Sequence, residues 1–299
     1  MKLIIIGASS FIGQNLYLEA KSRGYDVIGT QYSSNHREFI KLNLLTQKLS
    51  DVIPSKFINS SCKKFAVICS AVPKIDRCYL EGDVSYKLNV VKTIELVKEL
   101  NNLGAKVAFL STEAVYDGER GYYDESVPPS PINHYGLQKV EVENFINSFD
   151  PGSLIFRLSM VVSDKPNEKH LFSDWYQKAA DTGYIECIKG QIFSPTYVKD
   201  VAQGILCSIE KDLGGLYHLT NSEYFLRGEL ARQFLRITNI HGEVVEKPLE
   251  DFNFIQKRSM RTYLDGAKFV RDTGFGFLSM KEVIRKFGDN LRKGMSVNL

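Results

Sequence analysis

KLIIIGASSFIGQNLYLEAKSRGYDVIGT (residues 2–30) decides the fold. An apolar run rich in β-branched residues stops at Gly7. The turn GASSFIG (7–13) opens into helical spacing over 12–23, and a second β-rich run, YDVIGT, begins at 25. That succession is a strand, a tight turn, a helix and a strand, one βαβ unit. Runs of the same kind recur at FAVICS (65–70), KVAFLS (106–111) and SLIFRL (153–158), with helical spacing over 84–103 and 133–149 between them. They are apolar throughout rather than alternating, as strands covered on both faces must be, so the chain predicts an α/β fold with a doubly wound parallel sheet.

After about residue 160 the rhythm changes. A charged stretch, SDKPNEKH (163–170), leads into a helix reaching about 182, a strand YIECIKG and another helix from 198; helical patterns follow at 226–238 and 279–293. This predicts a smaller C-terminal lobe. The expected division is residues 1–160, with 190–220 returning to them, as a dinucleotide-binding domain, and 161–189 with 221–299 as a substrate lobe. Ligands of open parallel sheets sit beyond the carboxyl ends of the strands, so the cleft between sheet and lobe is where chemistry is expected.

With 299 residues, 43% of them hydrophobic, the chain can bury a sizeable core. Its 38 basic and 35 acidic side chains give a formal charge of +3, too weak a field to hold a nucleic acid or an anionic membrane by charge alone. Five scattered cysteines (62, 69, 78, 187 and 207) show no CxxC spacing, which argues against a disulfide framework and fits a reducing cytoplasm. His36, His134, His170, His218 and His241 show no HxH or HxxxH spacing, so no metal site is expected. No apolar run reaches the length of a membrane span, and the first one is too short for a signal-peptide core.

The turn 7–13 has the chemistry of an anion site: amides freed at a helix N-terminus point at a pyrophosphate and the macrodipole favours its charge. Gly7, Ser9, Ser10, Phe11, Ile12 and Gly13 are the candidate cofactor residues, with Ser10 standing where a middle glycine would allow the closest approach. The alternative is a plain strand-to-helix turn. After the second strand, an acidic residue would grip a ribose 2′-hydroxyl; here stands Gln31, followed by Tyr32, Ser33 and Ser34. With no carboxylate to repel a 2′-phosphate, and with Ser33 and Arg37 nearby, NADP(H) is expected over NAD(H).

In PINHYGLQK (131–139), Tyr135 and Lys139 stand four apart, on one helical face. An ammonium beside a phenol lowers its pKa and yields a general acid for a developing alkoxide. The spacing alone is cheap, since Tyr17 and Lys21 share it. Context separates the pairs: Tyr135 follows a strand that ends in Ser111 and Thr112, whose hydroxyls reach the same substrate oxygen, whereas Tyr17 lies within the helix after the glycine turn.

GASSFIG, STEAVYDG (111–118), YGLQK (135–139) and FSPTYVKDVAQGI (193–205), in this order, resemble the extended short-chain dehydrogenase/reductase family over nearly the whole chain. Within it the chain looks most like the dTDP-4-dehydrorhamnose reductases, through 111–139, SAVPKIDRCYLEGDVSYKLNV (70–90) and SPTYVKDVA (194–202). The resemblance implies a Rossmann-type sheet, a nucleotide-sugar substrate and a possible homodimer through helices 84–103 and 133–149. It implies roles as well: Thr112 polarising a carbonyl, Tyr135 donating a proton, and Lys139 tuning Tyr135 and holding the nicotinamide ribose. By the same resemblance Ser70, Ala71 and Val72 line the adenosine and pyrophosphate groove, and Ser111, Glu113 and Asn89 lie at the substrate.

Dehydratases of the family carry an Asp-Glu pair after the threonine, where this chain has Glu113 and Ala114. Epimerases usually show Ser-Ser-Ala-Ala-Val-Tyr-Gly, where it reads STEAVYDG. Reduction of a 4-keto-6-deoxy-sugar nucleotide is therefore the expected reaction. A nucleotide-sugar epimerase and a non-catalytic NADP-binding regulatory subunit are the alternatives. Thr196 and Asp200 read as a helix entry, and Arg157, closing a strand, as a partner for a carboxylate or a phosphate.

Overall fold

A computed structural model describes residues 1–297. Seven strands form the central sheet: β1 Lys2–Ile6, β2 Asp26–Gln31, β3 Ile40–Lys41, β4 Lys64–Ile68, β5 Ala105–Thr112, β6 Leu154–Leu158 and β7 Gly215–His218. Their order is β7, β6, β5, β4, β1, β2, β3 and every pairing is parallel. The winding reverses between β1 and β4, which makes the doubly wound parallel sheet that the apolar runs predict, of the Rossmann type that the resemblance implies. Sequence reading passes over β3 and β7. The first is two residues long with Lys41 exposed, and the second is a short run that only its neighbour β6 makes recognisable.

Successive residues of each strand face opposite sides, so the two faces build two cores. Leu3, Ile5, Phe65, Val67, Leu110 and Phe156 pack under helix α1 (Phe11–Ser22) and a returning helix, Val198–Glu210. On the other face Ile4, Ile6, Ile68, Val107 and Phe109 pack under helix α2 (Thr93–Asn102) and helix α3 (His134–Phe149). A third cluster, with Phe172, Trp175, Ile185, Phe193, Phe234 and Phe287 at its heart, draws on helix α4 (Leu171–Thr182), helix α5 (Arg227–Thr238) and helix α6 (Met280–Val297).

The helix expected over 84–103 is broken into three parts. Gly82–Tyr86 is α-helical, Lys87–Lys92 winds as a π-helix, and α2 continues from Thr93. The wide turn carries Asn89, whose buried side chain is spent on neighbours described below. Arg157 resolves the alternative left by its sequence: it pairs with the Glu143 carboxylate at 2.6 Å, both side chains being buried. The helix does start at Val198 with Asp200 in its first turn, but neither side chain caps it: Thr196 bonds Thr220 at 3.1 Å and Asp200 accepts from the Leu278 amide at 2.8 Å. Among the described residues no helix is long and apolar enough to cross a membrane. All five cysteines are free.

Candidate active site

The turn after β1 is built by close approach. Gly7 takes φ +81°, and a Cβ there would lie 2.9 Å from the Ser70 amide nitrogen, so the loop after β4 rests directly on the glycine turn. The Ser10 hydroxyl does not stand out as a free donor; it caps α1, accepting from the Gly13 amide at 3.1 Å. Ser9, Phe11 and Ile12 are partly exposed at the helix start, as are Ser70 and Ala71 across from them, while Val72 is buried. A helix N-terminus facing two partly open loops at the reversal of the strand order fits a dinucleotide pyrophosphate.

At the end of β2 the structure corrects one expected contact. Gln31 is buried, and its amide is fully used within its own loop, donating to the His36 and Phe39 carbonyls and accepting from Ser34 Oγ and the His36 amide. It shapes the loop rather than reaching for a ribose. Ser33 and Arg37 are exposed on that loop, and no hydrogen bond or ion pair engages Arg37 among the described residues.

Tyr135 is positioned from both ends of the segment before it. Asn133 caps α3, accepting from the Gly136 amide at 2.9 Å, and Gly136 lies so close to the end of β5 that a Cβ on it would meet the Ala114 carbonyl at 2.1 Å. The first turn of α3 thereby settles against Thr112, Glu113 and Ala114. Lys139, one turn on, is buried; its ammonium donates to the Leu110 carbonyl at 2.8 Å and lies 5.7 Å from the Tyr135 ring centroid. Thr112 Oγ1 accepts from the Ala114 amide at 3.2 Å and lies 3.4 Å from a Glu113 carboxylate oxygen. The other YxxxK pair is elsewhere: Tyr17, on α1, is buried in the core and bonded to Glu38 at 3.2 Å.

The electrostatics differ from the expected acidified phenol. Burial, followed by the neighbouring Glu113 charge, pushes the Tyr135 pKa well above the usual phenol value. Burial also pulls Lys139 down to about 8, against the raising effect of Glu143. Lys139 is therefore still largely an ammonium near neutrality, with one N–H held by the Leu110 carbonyl, and its charge does not offset the burial that raises Tyr135.

Two further expectations are corrected. Residues 111 and 112 point to opposite faces of β5, and the Ser111 hydroxyl donates to Glu143 behind the sheet rather than toward a substrate. Asn89 is buried, with its Oδ1 accepting from the Val72 amide at 2.8 Å and its Nδ2 donating to the Val72 carbonyl and, at 2.7 Å, to Gln138. It clips the loop after β4 to α3 and has no free group for a ligand.

Glu113 does face a cavity. A space of about 670 Å³ runs between the sheet end and the C-terminal part, and its wall includes Glu113, Asn133, Trp175, Phe193, Arg227 and Arg258. Of the residues expected at the substrate, Glu113 alone lines it; Thr112 and Tyr135 adjoin it through Glu113 and Asn133. The sequence offers no spacing signal for Trp175, Phe193, Arg227 or Arg258, because they come from separate elements that meet only in the folded chain.

Burial raises the Glu113 pKa from 4.5 to about 7, so the folded protein holds a proton there that the unfolded chain has released. Stability from this site is thus fully present below about pH 4.5 and is lost as pH rises through about 7. Glu113→Gln is expected to flatten that dependence. Urea midpoints followed across this interval should fall for the wild type relative to the variant, and parallel curves would contradict the buried-carboxyl account.

The comparisons with known proteins follow this geometry. The family model described as the RmlD substrate binding domain matches residues 1–293. The chain belongs to that family. It is 23% identical to a dTDP-4-dehydrorhamnose reductase from Clostridium acetobutylicum, with a TM-score of 0.85 over 98% of this chain and 100% of that one, which establishes the shared fold. A dTDP-4-dehydrorhamnose reductase from Bacillus anthracis, solved in complex with NADP, is 25% identical with a TM-score of 0.83 over 96% of this chain and 98% of that one. Among curated proteins, the methionine adenosyltransferase 2 subunit beta of Xenopus tropicalis is 29% identical over 77% of this chain and 70% of its own length. Family and fold together place the chain in the extended short-chain dehydrogenase/reductase class of sugar-nucleotide oxidoreductases, as the sequence resemblance implied.

Proposed function

We propose that the chain is an NADPH-dependent reductase that converts a 4-keto-6-deoxy-sugar nucleotide to the hydroxy sugar. In this reading the sheet and residues 1–160 with 190–220 bind the cofactor, residues 161–189 with 221–299 bind the nucleotide sugar, and the protein works in the cytoplasm. The reduced nicotinamide supplies the hydride when bound.

The observation that carries the reading is geometric: the close approach of Gly136 to the Ala114 carbonyl and the Asn133 cap set Tyr135 beside the end of β5 that carries Thr112, with Lys139 one turn on. A phenol whose pKa burial and Glu113 hold high stays protonated, which is the form a proton donor needs when an alkoxide develops beside it. Thr112 is aligned for the second contact. Its oxygen accepts from the Ala114 amide, and its hydrogen, donated to Glu113 at a long 3.4 Å, can turn to polarise the substrate carbonyl. Lys139 has one N–H on the Leu110 carbonyl and two left for a ribose hydroxyl. Glu113, at the cavity wall, supports Thr112 and adds to the burial that keeps the phenol neutral.

The preference for NADPH rests on Arg37 and Ser33, exposed on the loop after β2, and on Gln31 standing at the strand end in place of a carboxylate. Arg37→Ala is expected to weaken NADPH about tenfold, the scale of a charge-assisted contact to a phosphate, and to leave NADH within about twofold. Equal losses for both cofactors, measured as dissociation constants, would remove Arg37 from the role.

The activity itself is tested by following NADPH absorbance with purified protein and a panel of nucleotide-linked 4-ketosugars. Consumption matched by appearance of the hydroxy sugar supports the reduction. NADPH binding with no consumption across the panel would favour a non-catalytic cofactor-binding subunit instead, the Xenopus tropicalis relative being a subunit of another enzyme.

A further inference from the structure

Two cations of the cavity wall have no ion pair among the described residues, the exposed Lys178 and Arg227, and only Arg227 is drawn into the wall. Arg227, the first residue of α5, is partly buried in the cavity wall. Its amide donates to the Gln191 carbonyl at 2.8 Å, its Nη1 donates to Gln191 Oε1 at 3.0 Å, and its guanidinium lies 5.4 Å from the Phe193 ring centroid. Gln191 is itself anchored, donating to the Ser259 carbonyl at 3.2 Å, and Ser259 bonds the Tyr116 carbonyl in the segment that follows Glu113. A chain of hydrogen bonds thus ties the guanidinium to the loop beside Thr112.

No carboxylate reaches Arg227 among the described residues, and burial pulls its pKa below the usual arginine value, with only a distant thiol opposing. The other arginines of the interior are treated differently: Arg157 has Glu143 at 2.6 Å and Arg258 has Asp76 at 2.7 Å. The carboxylates that share the cavity wall are engaged or remote. Glu186 is ion-paired with Lys247, Glu113 lies at the β5 end, and Asp174 is exposed in the first turn of α4. Burying a cation without an anion is costly, so a folded chain that keeps one at a cavity wall gains when an anion enters. The planar fork, with one nitrogen pinned by Gln191 and the rest facing open space, suits two oxygens of a phosphate group.

We infer that Arg227 binds a diphosphate group in this cavity. The inference rests on the proposed nucleotide-sugar reading, in which that group joins the nucleoside to the sugar. It makes Arg227 the anchor that sets how far the sugar reaches toward Thr112 and Tyr135.

The test measures binding rather than turnover, by calorimetric titration of the full chain saturated with NADPH. The probes are UDP, dTDP and inorganic pyrophosphate. Wild type is expected to bind at least one nucleoside diphosphate, and Arg227→Gln to weaken it by about tenfold or more, the scale of hydrogen bonds to a charged group. Arg227→Lys, which keeps the charge and loses the fork, should fall between them. The NADPH dissociation constant should stay the same for Arg227→Gln, and its ligand-free Tm should hold or rise, because an uncompensated buried charge has gone.

Binding of the nucleoside diphosphates within about twofold of wild type would overturn the inference while leaving the nucleotide-sugar reading intact. A lowered Tm together with lost NADPH binding would overturn it in favour of a structural role. Arg227-dependent binding of pyrophosphate with neither nucleoside diphosphate bound would support the anion site and remove the nucleotide-sugar reading. No binding of any probe to wild type would overturn the inference.

Discussion

Tyr135→Phe is expected to lower kcat for the ketosugar by roughly 10²–10⁴, the contribution of a positioned general acid, while leaving the NADPH dissociation constant unchanged. The substitution removes one oxygen and keeps the ring that packs near Lys139, so the fold of the first turn of α3 should persist. The Asn133 cap and the approach of Gly136 to the Ala114 carbonyl do not depend on the phenol oxygen. The loss should be visible in single-turnover rates at saturating substrate. Near-normal turnover would take the proton from another group and end the assignment. Thr112→Val should produce a smaller loss of the same kind, because one of two hydrogen bonds to the carbonyl oxygen is removed and the proton source stays.

The second large effect concerns stability. Arg157→Met is expected to destabilise the chain by about 3–5 kcal/mol, the usual consequence of stranding one partner of a buried ion pair. Glu143 would lose both Arg157 Nε and Nη2 and keep only the Ser111 hydroxyl. Tyr116 would lose its 2.6 Å contact with Nη1, leaving it His218 at 3.0 Å and the Asp124 carbonyl at 3.2 Å. Pairing the change with Glu143→Leu should recover much of the loss, since no isolated charge then remains buried. Urea unfolding of the two variants decides the matter: a double variant as unstable as the single would mean that the cost lies in packing rather than charge. Because Glu143 sits one helical turn after Lys139 and bonds the residue before Thr112, loosening this pair should also reach the rate of reduction.

The residues of the proposed site stand out in the sequence. The glycine turn declares itself by standing between an apolar run and a helical one near the start of a βαβ unit. Tyr135, Lys139 and Thr112 declare themselves by following one strand in the right order. What the residues misreport is electrostatic. Four-residue spacing puts Tyr135 and Lys139 on one face, but spacing does not report burial, which raises the phenol's pKa and lowers the ammonium's. Asn89, Ser111 and Gln31 fail for a related reason. Each stands where a ligand contact is plausible, and each has its hydrogen-bonding groups taken by neighbours far apart in the chain: Val72 and Gln138, Glu143, or the loop through Phe39.

Periodicity and turn chemistry, both local, were enough by themselves to determine the parallel sheet and the placement of the glycine turn at its first strand. Only the folded chain decided which polar groups are spent and which are open. That depends on desolvation and on partners brought together from distant segments, as when Gln191, Arg227 and Ser259 meet along one wall while no carboxylate joins them. Side-chain spacing carries the direction of a residue; the balance of burial and hydrogen bonding that sets its charge and availability is a property of the packed whole.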